Sequence, residues 1–106
     1  MFYIDAEAPR IYPFYIVMKL NSSNSLRKMG SSHYIYRTDP NTKQRSMMVF
    51  NETATFLWKK FVSQSSFTAD EMAEALIEEY EIDKGTASAD VDALLAKWRE
   101  AGLLVE

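Results

Sequence analysis

Between Met47 and Phe50 the chain passes through four consecutive apolar residues, and helical spacing begins almost at once from Asn51. A strand on a protein surface alternates apolar with polar positions. This run therefore predicts a strand whose side chains on both faces require cover. One face can pack under helices; the other needs more of the same protein, a second copy of the chain in a homodimer, or a ligand. Two shorter segments upstream also read as strands. Ser25–Met29 is closed by Gly30-Ser31-Ser32, and His33–Thr38 ends at Asp39-Pro40-Asn41, residues that favour turns. With Arg45–Phe50 as the third strand, two connected hairpins form a small antiparallel meander.

From Asn51 the apolar period changes from two to helical. Ala54, Leu57, Trp58, Phe61 and Val62 form one stripe, with Asn51 as N-cap and Glu52 at the positive end of the helix dipole. Thr68 and Glu71 have the spacing of a capping box, and Phe67 with Met72 that of its hydrophobic staple. The helix they open buries Met72, Ala73, Leu76, Ile77 and Tyr80, and turns Glu74 and Glu78 to water. Asp83 caps a third helix whose stripe is Val91, Leu94, Leu95 and Trp98. Gly102 stands where a left-handed residue ends that helix, and Leu103-Leu104 folds back onto the core. Strands followed by helices indicate an α+β domain. The expected architecture is winged-helix-like: a three-stranded antiparallel sheet followed by a three-helix bundle.

The first twenty residues fit no regular element, because Pro9 and Pro13 interrupt an aromatic stretch. A mobile extension, an extra edge strand and a partner-binding arm are the readings open there. The domain is accordingly placed at residues 21–106, after an extension over 1–20.

A chain of 106 residues holds one core. No apolar run reaches the roughly 18–20 residues of a membrane helix. Neither a basic n-region nor a small-residue cleavage site marks the start as a signal peptide. Without cysteine the chain has no disulfide and no thiolate metal site, which suits a cytoplasmic protein. The net charge of −3 is unevenly divided. Residues 1–66 carry nine Lys/Arg against four acids, net +5; residues 67–106 carry three against eleven, net −8.

No catalytic constellation emerges. His33 is the one histidine, in a strand beside Tyr34, and the three glycines are isolated, so there is neither a Ser–His–acid set nor a phosphate loop. No metal site or cofactor is expected, since the acids of the second helix read as a solvated face. A helix-turn-helix reader presents Arg, Lys, Asn or Gln near its N-terminus. Here Asp83, Asp90 and Asp92 stand against Lys84, and phosphates would be repelled. Neither nucleic acid nor membrane is an expected partner.

Three ordered stretches, "FNETATFLWKKF", "FTADEMAEALIEEYEID" and "ASADVDALLAKWREAGLL", resemble the PqqD-like family. This is the family of pyrroloquinoline-quinone synthesis protein D, whose fold is also the recognition element for RiPPs, ribosomally made and post-translationally modified peptides. The resemblance spans about residues 18–106, and Met18 resembles a typical family start, so residues 1–17 are expected to be an extension or an artefact of start assignment.

The resemblance implies a non-catalytic chaperone that binds the leader of a precursor peptide and presents it to a modifying enzyme, often a radical S-adenosylmethionine (SAM) protein. The leader would add as a strand to the edge of the third strand, at Ser46, Met47, Met48, Val49 and Phe50. The third helix would wall the groove through Asp90, Ala93, Leu94 and Lys97. Strand addition uses backbone that any peptide has, so selectivity must come from side-chain pockets. Pyrroloquinoline quinone or another peptide product are both compatible with this reading. A winged-helix nucleic-acid binder and a purely scaffolding enzyme subunit remain the alternatives.

Overall fold

The computed structural model describes residues 17–22, 24–38 and 41–105. In chain order the elements are β1 (Val17–Leu20), β2 (Arg27–Met29), β3 (Ser32–Thr38), β4 (Arg45–Phe50), α1 (Glu52–Phe61), β5 (Phe67–Thr68), α2 (Ala69–Tyr80), α3 (Lys84–Glu100) and β6 (Leu104–Val105). The expected α+β order holds: the antiparallel meander β2-β3-β4 is followed by three helices. The aromatic stretch over residues 1–16 and the Asp39-Pro40 part of the expected turn lie outside the described residues.

The helix signals act as their chemistry requires. The Asn51 side-chain oxygen accepts from the Ala54 N–H at 2.8 Å, so β4 passes into α1 with one capping residue between them. Both arms of the capping box form: the Glu71 carboxylate accepts from the Thr68 N–H at 2.8 Å, and the Thr68 hydroxyl accepts from the Glu71 N–H at 3.2 Å. Phe67 and Met72, the staple pair, are both fully buried. Asp83 caps α3 by accepting from the Thr86 N–H at 2.8 Å and from its hydroxyl at 3.1 Å. These bonds hold the Asp83 carboxyl below its ordinary pKa.

At the other end of α3, Gly102 adopts φ +77°, the Gly102 N–H reaches the Arg99 carbonyl, and the Leu103 N–H reaches the Trp98 carbonyl. This pair of bonds is a Schellman closure, and it drives Leu103 into the core. By contrast α2 ends on Glu81 at φ +54°, a left-handed position filled without glycine.

Ahead of residue 21, where the sequence placed the start of the domain, β1 lies at the centre of a second sheet ordered β5-β1-β6. Val17 and Met18 pair with Thr68 and Phe67, and Lys19 and Leu20 pair with Val105 and Leu104. Met18 and Leu20 are core residues. Four residues were too few to show a period, and the two partners are only two residues long each, below what sequence pattern resolves.

The core is closed by an aromatic triad drawn from three elements. Phe50 of β4 stacks on Trp98 of α3 with ring centres 5.6 Å apart, and Trp58 of α1 meets both rings edge-on, at 5.8 and 5.4 Å. Such contacts add about 0.5–1.5 kcal/mol each beyond the area buried. They tie the end of the meander to the helices. The Trp98 indole nitrogen is fully enclosed, and among the described residues it has no hydrogen-bond partner.

Candidate functional site

The meander order β2-β3-β4 leaves β4 with a strand on one side only among the described residues. Its register with β3 pairs Ser46 with Arg37, Met47 with Tyr36, Met48 with Ile35, Val49 with Tyr34 and Phe50 with His33. Side chains alternate between faces, so Ser46, Met48 and Phe50 share the face of buried Ile35. Met47 and Val49 share the opposite face with Tyr34 and Tyr36. That division resolves what covers the apolar run. Phe50 is buried in the aromatic triad, and Met48 is half-buried against the core. Met47 and Val49 stay 45% and 62% exposed, so half the run has no cover from the described chain.

Between the start of β4 and the last turns of α3 lies a groove of about 280 Å³ lined by Arg37, Ser46, Met47, Met48, Lys97, Glu100 and Ala101. The volume is small and the groove open, which suits one or two side chains of an extended segment better than an enclosed metabolite. Arg37 ties the two walls together. Its Nε donates to the Ala101 carbonyl at 2.6 Å, fixing the C-terminal end of α3 against β3. The open backbone edge of β4 runs along this groove, and an extended guest can bond there as strand does to strand.

Of the nine expected site residues, Ser46, Met47, Met48 and Lys97 meet in this groove. The others are placed differently. The Phe50 side chain is buried in the core and can offer a guest only its backbone. Val49, like Met47, has its side chain on the alternate sheet face, and of the two only Met47 also borders the groove. Leu94 is half-buried against the core, and Asp90 and Ala93 are exposed on α3, away from the groove's lining. The register explains this, because the start of β4 meets the end of α3 and not its middle. Arg37, Glu100 and Ala101 are lining residues that the sequence reading did not name. Glu100 and Ala101 continue the helical spacing of Asp90, Ala93 or Leu94, and Lys97, and that spacing was a usable signal.

A larger open depression, about 510 Å³, is bounded by Leu26, Lys28, His33, Trp58 and Lys59 among others. His33 has its pKa lowered there, first by burial and then by the positive charges of Lys59 and Lys28. Ser22 and Ser25 also line this depression, and no carboxylate is among its lining residues. Among the described residues no cluster of three metal-ligating side chains occurs. No helix among them is long and apolar enough to cross a membrane.

Comparison with known proteins identifies the family and the fold. A family model described as coenzyme PQQ synthesis protein D (PqqD) matches residues 39–104. No curated protein matches the chain. Two solved structures share its fold. One is the PqqD truncation of Methylobacterium extorquens PqqCD, solved in solution by NMR as a functional, stand-alone RiPP recognition element. It has a TM-score of 0.66 at 18% identity and covers 92% of this chain and 97% of its own. The other is a lasso peptide synthetase B1 complexed with its leader peptide, with a TM-score of 0.61 at 19% identity over 84% of this chain and 98% of its own.

Proposed function

The chain belongs to the coenzyme PQQ synthesis protein D family and has the fold of a RiPP recognition element, and on that premise we propose that it is a non-catalytic, cytoplasmic leader-peptide chaperone. In this reading the leader of a ribosomally made precursor peptide adds as a strand to β4 and is presented to a modifying enzyme of the radical SAM type. The observation that carries the proposal is the edge of β4 beside the α3 groove, which has no strand partner among the described residues, with Met47 and Met48 bordering the groove. Thioether side chains repack around varied apolar guests at little cost. Backbone bonds gained by a guest strand are largely offset by the cost of ordering it, about 2–5 kcal/mol. The apolar contacts therefore set the affinity, and with Phe50 committed to the core and Met47 on the opposite face, Met48 supplies them on the α3 side.

An NMR titration with a short precursor peptide encoded beside this gene tests the reading. Shifts should concentrate on Ser46–Val49 and the last turns of α3. Shifts confined elsewhere, or no binding at submillimolar peptide, would remove the groove as the site. Val49→Pro should weaken binding because proline disturbs the strand edge and removes a donor. Its urea midpoint, measured alongside, separates loss of the edge from loss of the fold.

A nucleic-acid role gains nothing from the structure. At the start of α3 the N-cap Asp83 and the helical Asp90 are both exposed and repel phosphate.

A further inference from the structure

The groove has an apolar stretch and a charged end, and the register fixes their separation. Met48 and Ser46 lie on the α3-facing side of β4, two residues apart, with Ile35 and Arg37 as their cross-strand partners. A guest strand paired with β4 places its side chains in the same alternation, whichever way it runs. The guest residue opposite Met48 meets apolar surface. The guest residue two positions along, opposite Ser46, enters the part lined by Arg37, Lys97 and Glu100. Arg37 is held there by its bond to the Ala101 carbonyl, which leaves the rest of its guanidinium for a second acceptor. That same bond satisfies a carbonyl at the negative end of α3 that would otherwise repel an anion.

Beyond the mouth of the groove, Lys43 and Arg45 precede Ser46, and Arg45 is stacked 4.8 Å over the Tyr36 ring on the other face of the strand. Glu100 is the one carboxylate among the lining residues. The balance at this end is cationic.

Resting on the leader-binding reading above, we propose that the groove selects peptides carrying an acidic side chain two residues from an apolar one, the carboxylate being read by Arg37 and Lys97. A carboxylate bound by a guanidinium held in place gains charge-assisted hydrogen bonds that a neutral amide of the same shape does not match. The nearby lysines and Arg45 supply a longer-range attraction that salt weakens.

The test uses short capped synthetic peptides of serine and threonine with one central leucine. A second residue is Glu, Gln or Lys, placed two or three positions from the leucine, and binding is followed by NMR shifts on β4. At the two-residue spacing, Glu should bind about tenfold more tightly than Gln, with Lys weakest. At the three-residue spacing the carboxylate turns to the opposite sheet face and the advantage should fall away. Lys97→Gln, on the exposed side of α3, should cut the preference for Glu over Gln. Arg37→Lys separates the bidentate fork from the charge, and its preference should lie between wild type and Lys97→Gln. High salt should compress the differences. Binding at β4 with equal affinity for Glu, Gln and Lys overturns the charge-reading while leaving the leader reading intact. Preference for Lys would assign the end of the groove to Glu100 and overturn it too. Absence of binding by every peptide, the encoded precursor included, overturns both.

Discussion

β1 and β4 are both short strands carrying adjacent large apolar residues, and the fold treats them in opposite ways. β1, four residues long, is the middle strand of its sheet, with β5 and β6 taking one half each of its length on their own sides. Met18 and Leu20 are 2% and 0% exposed. β4, six residues long with four apolar side chains to the three of β1, has a neighbour on one side among the described residues and leaves Met47 and Val49 to water. Hydrophobicity therefore does not decide which strand is covered. Cover comes from where later segments of chain return, and two two-residue strands are enough to complete β1. An edge with apolar side chains is ordinarily an aggregation hazard. In β4 that edge is flanked by the charges of Lys43 and Arg45 at one end and Arg37 in the groove, and the proposed guest strand would cover it.

The contrast is most directly tested on stability. Phe50→Ala removes the ring that joins β4 to α1 and α3 and should cost about 3–5 kcal/mol, and Leu20→Ala at the centre of the second sheet about 2–5 kcal/mol. Val49→Ala and Met47→Ala should change stability by no more than about 0.5 kcal/mol. Urea denaturation of the four variants ranks them; a large loss at Val49 would mean that the outer face of β4 is covered in solution. Amide hydrogen exchange sharpens the comparison residue by residue. The outward-directed amides of β4 should exchange fast and become protected when peptide binds, whereas those of Met18 to Leu20 should be slow throughout.

The smallest effect concerns the anchored end of β4, where His33 pairs with Phe50. His33 is held below its ordinary value of 6.5 by burial and by Lys59 and Lys28. Between the lowered folded value and 6.5 the unfolded chain binds more protons than the folded one. Stability is therefore fully present above that range and falls as pH drops through it. Thermal melting between about pH 7 and pH 5 should show a modest decline that His33→Gln removes. An unchanged slope in the variant would place the acid sensitivity elsewhere.

The helices were legible residue by residue because their signals are local. Asn51, the Thr68–Glu71 box, Asp83 and Gly102 each act within a few positions of themselves, so each cap formed where the sequence placed it. The meander was legible for the same reason, its strands being joined by short turns. The second sheet was not. It joins residues 17–20 to residues 67–68 and 104–105, and no two-residue segment announces such a partner. Of the expected site residues, Ser46–Met48 and Lys97 come together in the groove. Phe50 lies in the core, because apolar character alone does not tell groove floor from core, and Asp90 and Ala93 lie outside the lining, because helical spacing gives a stripe without its height on α3.

By itself the sequence determined the α+β order, the caps that bound each helix, the apolar run that needed cover, and the charge contrast between the two halves. Each follows from interactions between residues near one another in the chain, or from counting. The tertiary structure alone decided that Phe50 faces inward while Met47 and Val49 face out. It also decided that Arg37 crosses to the end of α3, and that the cationic end of the groove stands two residues from its apolar part. These depend on which segments, distant in sequence, come to lie side by side, and that is settled only when the whole core closes around Trp98.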